Sequence, residues 1–194
     1  MNEKWSNPSP AGLVALAVAC FCFYALQTGK VESSASLLLG TWLLGGFVVQ
    51  FIVGLIDLKN GNHTGGNTFI YFSAFFMLAG GLGAIIKFIC AHNGIPLDTR
   101  LDGYAWMALG LVTFLWTPAF FRAPLPLTGI LLCLDVAIPF IVLADLKILP
   151  HGYIVIPGHA LLAAALIAVY YSGAMIINEA FGKKVLPIPG PICK

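Results

Sequence analysis

The sequence predicts an all-α integral membrane protein, with six transmembrane helices in a single bundle. Three observations carry this. Hydrophobic residues make up 59% of the chain and charged residues only 9%, with a mean hydropathy of +0.93. A folded chain of 194 residues still exposes a large part of its surface, so this much apolar area calls for lipid as the solvent. Six apolar segments are each long enough to cross a bilayer, which takes about 20 helical residues. The connections between them are short and rich in glycine, proline and charge, leaving no room for an extramembrane domain. The chain therefore reads as one domain, residues 1–194, with spans at about 9–28, 35–57, 68–91, 101–121, 127–146 and 156–181.

Composition excludes several classes. A net charge of +2 is too small to imply nucleic acid. Cys20, Cys22, Cys90 and Cys133 lie in or beside apolar runs and Cys193 near the end of the chain, so they do not read as a disulfide framework. No metal-ligand spacing, nucleophile–base set, phosphate loop or dinucleotide motif is visible, so neither an enzyme nor a cofactor is expected. The first apolar run lacks a strongly basic leader and follows a proline pair, which argues against a cleavable signal peptide.

The first span is introduced by Asn7-Pro8-Ser9-Pro10-Ala11-Gly12-Leu13. Asn7 suits a helix N-cap and proline suits the first turn, where its missing N–H has no partner to lose. Pro8 and Pro10 also remove two of the free donors that a helix start offers. Ala11, Ala15 and Ala19 form a stripe of small residues in this span, as do Gly46, Gln50 and Gly54 in the second and Ala160, Ala164, Ala168 and Ser172 in the sixth. Such stripes let helix backbones approach closely, either within the bundle or at a subunit contact or pore wall. In the third span, Gly80, Gly81 and Gly83 loosen the helix or permit close packing. In the fourth, Trp116-Thr117-Pro118 should kink the helix near its end, and Arg122-Ala123-Pro124-Leu125-Pro126 makes a stiff turn into the fifth.

Six spans place both termini on one side. If that side is the cytoplasm, it holds Lys4, Lys59, Arg122, Lys183, Lys184 and Lys194, against Lys30, Arg100 and Lys147 outside. The excess predicts both ends inside. Lys87, near the outer end of the third span, is expected to snorkel to the interface instead of pairing.

Asp135, near the middle of the fifth span, is the clearest intramembrane charge. Such groups cost about 2.5–3.5 kcal/mol at a helix centre on insertion scales, so each needs a reason. It is either a proton site facing a conduit or a hydrogen-bonded structural aspartate between helices. Gln50, deep in the second span, can donate to a carboxylate and accept from a carboxylic acid, or tie two helices together. Asp57 and Glu179, at the ends of their spans, read as solvated or paired with Lys59 and Lys183. The aromatics crowding the third span, Phe72 among them, are by default core or lipid-facing. His63, His92 and His151 are expected in loops, and His159 at the start of the sixth span.

Three landmarks in chain order carry a family resemblance. The NPSPAGL segment resembles the NPAPLGL signature of the acetate uptake transporters, also called succinate–acetate permeases. Gly54-Leu55-Ile56-Asp57 followed by Lys59-Asn60-Gly61-Asn62 is similar to that family's AGLLEYKKGN. The stretch from Asn178 to Ile188 is similar to its NEQFGRTVLPI. Ser9 and Ala11 depart from the signature. The resemblance implies a plasma-membrane transporter moving acetate, and potentially succinate, as a ring of six subunits with one pore each. It implies a hydrophobic girdle at Leu16, Phe72 and Leu134, where leucine replaces an aromatic, and it places Asn178 and Glu179 at the inner mouth. Asn7 and Gln50 would hold the carboxyl group on either side of the girdle, with protons as the coupled species and Asp135 a possible proton site. The rivals are a passive channel for anions or ammonia and a non-transporting membrane subunit.

Overall fold

The computed structural model describes residues 5–193; Lys4 and Lys194, counted above for orientation, lie outside them. Among the described residues, six helical spans are long and apolar enough to cross a membrane. They are α1 (Ser9–Gln27), α2 (Ser36–Lys59), a third span in three pieces, α5 (Arg100–Phe120), α6 (Leu125–Asp145) and α7 (Val155–Ala180). The third span runs as α3 (His63–Tyr71), a π-helical segment (Phe72–Ala79) and α4 (Gly80–His92). This is a multi-pass, all-helical membrane protein.

Helix α1 is the hub, packed along α7 and α2, while α6 lies between α5 and α7 and the third span lies against α2. Small residues explain the α1–α7 contact. Ala164 and Ala168 are fully buried, Ala19 nearly so, and the Ser172 hydroxyl donates to the Pro10 carbonyl at 3.0 Å. That bond ties α7 to the first turn of α1. A second close approach joins α2 to α4: a Cβ on Gly40 would stand 2.8 Å from the Gly81 carbonyl oxygen. Glycine is required there because the two backbones meet directly.

The third span does not loosen at its glycines. Its wider turn comes earlier, at the π-helical stretch Phe72–Ala79, where Phe72, Ser73, Phe76 and Met77 are buried. Pro118 falls in the last turn of α5, which ends at Phe120, so the proline helps close the helix instead of bending its middle. Pro139 lies inside α6 and has no N–H to give the Asp135 carbonyl one turn earlier.

Both described chain ends lie at one end of the bundle, called here the terminal end. Trp5 N–H donates to Asn60 Oδ1 at 2.9 Å, and Cys193 N–H donates to the Phe121 carbonyl at 2.8 Å. At the opposite end Lys87 does not snorkel freely. It pairs with Asp102 on α5, because the third span ends beside the first turn of α5. In the connection before α5, the Arg100 guanidinium grips Asp98 and holds its carboxyl well below the usual carboxylate range.

Candidate functional site: two cavities meeting at a constriction

A cavity of about 590 Å³ enters from the terminal end. Another of about 610 Å³ enters from the opposite end. Phe72 and Leu134 are the two described side chains common to both walls. They are 6% and 4% exposed, so both side chains are buried where the two cavities approach each other. Leu16, 7% exposed, lines the terminal-end cavity beneath them. The π-helical segment begins at Phe72, whose ring is buried. Tyr71 stacks on Phe72 at 4.6 Å between ring centres, and Phe76 meets it edge-on at 5.9 Å.

The terminal-end cavity has polar walls near its mouth: Asn7, Ser9, Asp57 and Arg122. Helix α1 begins at Ser9 with Pro8 at its N-cap and no side chain capping it, so Asn7 stands one residue before the expected place, where its Oδ1 accepts from the Ser9 N–H at 3.0 Å. Asp57 is 3% exposed and not solvated, with the Ser9 hydroxyl donating to it at 3.5 Å. Lys59 leaves it for the Trp5 ring, 3.8 Å from the ring centre. Deeper in the same wall Gln50 is 1% exposed and donates through Nε2 to the Gly12 carbonyl at 3.3 Å.

Three expected site residues stand away from the two cavity walls. Asn178 is occupied by the segment after α7: its side chain accepts from the Val185 and Leu186 N–H groups and donates to the Leu186 carbonyl, at 2.7–2.8 Å. That use explains its position, since it folds the C-terminal stretch back along α7. Glu179, beside it, is exposed. Asp135 lies between α5 and α6, with its Oδ2 at 2.7 Å from the Thr117 hydroxyl. From there Thr117 reaches the Thr113 carbonyl, and the Thr113 hydroxyl bonds the Tyr71 hydroxyl at 3.0 Å. A polar seam thus leads from Asp135 to the ring stacked on Phe72.

Sequence reasoning missed Tyr71, Thr113 and Thr117, because hydroxyl residues in spans commonly bond their own helix. It also missed Gln27, which closes α1 and lines the opposite-end cavity.

The site is thus a helical membrane bundle with a cavity from each end and an apolar layer between them. Residues 1–189 match the GPR1/FUN34/yaaH family, and the chain belongs to it. No curated protein matches the sequence. The fold is similar to the solved structure of the bacterial acetate channel SatP, with a TM-score of 0.81 and 20% identity over 95% of this chain and 99% of that one.

Proposed function

We propose that this protein moves small monocarboxylates, acetate foremost, across the plasma membrane, through the two cavities and past Phe72 and Leu134. The observation that carries this reading is the pair of cavities of nearly equal size sharing one apolar layer. The likeness to an acetate channel supplies the substrate class. A bare carboxylate would pay a heavy desolvation cost at that layer, whereas the acid, or the anion with a proton, crosses more cheaply. Proton-linked movement follows from this reading, with Asn7 and Gln50 holding the carboxyl group in the terminal-end cavity. Leu16 narrows the girdle, Asn178 shapes the inner mouth indirectly by seating the C-terminal segment, and Glu179 stands exposed beside it at that mouth. The entire chain, 1–194, then acts as one transport unit. Lys59, Arg122, Lys183 and Lys184 at the terminal end support a cytoplasmic position for both termini. Six such subunits in a ring, each with its own pore, complete the proposal.

Uptake of labelled acetate into liposomes holding only this protein, with and without an inward proton gradient, tests it. Accumulation above the outside concentration that collapses with the gradient is the expected result. Equilibration that never exceeds that concentration would make the protein a passive channel. No movement would overturn acetate as the substrate.

A further inference from the structure

Besides Thr68 Oγ1 and Asp135 Oδ1, two described side-chain oxygens, both of glutamine amides, are buried and have no hydrogen-bond partner. One is Gln50 Oε1, in the wall of the terminal-end cavity; the other is Gln27 Oε1, in the wall of the opposite-end cavity. Phe72 and Leu134 lie between the two cavities. Buried polar atoms are almost always paired, so an oxygen of this kind beside a cavity points to a ligand or water that completes it.

The orientation of the Gln50 amide is decided by its neighbour. Its nitrogen faces the Gly12 carbonyl at 3.3 Å, and a carbonyl can only accept, so the amide cannot be turned over. What remains free on that amide is an acceptor alone. Gln27 packs closely against the backbone of α7. Position 158, on α7, is glycine, and a Cβ there would come within 3.3 Å of Gln27 Cβ and 3.5 Å of its Oε1. The nearest cation in that cavity, Lys87, is engaged by Asp102.

We infer that Gln27 and Gln50 are paired stations for a carboxyl group, one on each face of the Phe72–Leu134 layer, and that the species they accept is the undissociated acid. The inference rests on the proposed route for small carboxylic acids and names the form that uses it. A neutral carboxyl offers one O–H, which the free amide oxygen accepts. A carboxylate offers only acceptors and meets that oxygen unfavourably.

Acetate flux in right-side-out and inverted membrane vesicles tests the pairing. Gln27→Met should raise the half-saturation concentration about fivefold on one face of the membrane and leave the other within about twofold, the scale of one neutral hydrogen bond. Gln50→Met should do the reverse. Equal shifts on both faces would mean a structural role for the glutamines, and unchanged values would mean no contact; either overturns the inference while the route stands. A wild-type protein that moves no acetate overturns the route and the inference together. Competition in the wild type adds a measurement free of folding effects. Acetamide cannot ionise but keeps a donor beside its carbonyl, so it should inhibit competitively. Its failure to inhibit at large excess would overturn the neutral-acid assignment.

Discussion

The Thr117 hydroxyl of α5 lies 2.7 Å from Asp135 Oδ2 on α6 and 3.0 Å from the Thr113 carbonyl of its own helix. A hydroxyl has one hydrogen, and both neighbours are acceptors when the carboxyl is ionised. Both contacts are satisfied together when Asp135 carries the hydrogen and donates it to Thr117, which then donates to Thr113. Asp135→Asn preserves this count, since its amide nitrogen can donate in the same place. The variant should therefore fold and transport while its pH profile shifts. An unchanged profile would remove Asp135 from proton coupling. Thr117→Val should instead destabilise the bundle by about 1–3 kcal/mol, because Asp135 Oδ1 is already without a partner and Oδ2 would join it.

Leu134 is 4% exposed and shared by both cavity walls, so shortening it opens the layer from both ends at once. Leu134→Ala should admit larger acids such as succinate and raise the acetate rate. The cost in stability should be about 2–5 kcal/mol, less if the opening fills with water. Transport assays with acids of increasing size check this; an unaltered range and rate would show that Leu134 does not gate.

The legible and illegible parts of this protein divide along physical lines. Span number followed from apolar length alone, because each helix must satisfy its backbone within itself. The close approaches at Ala164, Ala168 and Ser172 were visible as a stripe of small residues. Partners across the bundle were not. Nothing local says that Lys87 sits opposite Asp102, or that Asn178 is used by its own C-terminal stretch. The π-helical turn at Phe72 has no distinct periodicity in so apolar a segment. Gln27 drew no notice in the sequence because its cavity is built from five other spans.

Asn178 holds the backbone of Val185 and Leu186, and further along Tyr170 donates to the Pro187 carbonyl at 2.7 Å. Leu125 N–H donates to the Pro189 carbonyl, so the same stretch reaches the start of α6. Asn178→Ala should release it. Cleavage by trypsin after Lys183 or Lys184 should become faster in detergent, and amide exchange at Val185 and Leu186 should rise at least tenfold, as expected for losing about 1.4 kcal/mol of local protection. Exchange at the wild-type rate would mean that the contacts at Pro187 and Pro189 hold the stretch without Asn178.

Gly40 and Gly81 offer the sharpest test of packing, since backbone stands against backbone. An added Cβ at Gly40 would meet the Gly81 oxygen at 2.8 Å and the Ile85 side chain at 2.5 Å. The side chain can turn aside, but the carbonyl belongs to α4 and moves only with the helix. Gly45, on the same helix, has nothing within 4 Å of its would-be Cβ. Gly40→Ala should therefore destabilise the protein by about 1–3 kcal/mol. Gly45→Ala should be neutral or slightly stabilising, by up to about 1 kcal/mol, through helix propensity. Thermal unfolding in one detergent compares them directly. Equal midpoints for the two variants would mean that α2 and α4 are farther apart in the membrane than this packing requires, and the α2–α4 contact would then have to be redrawn.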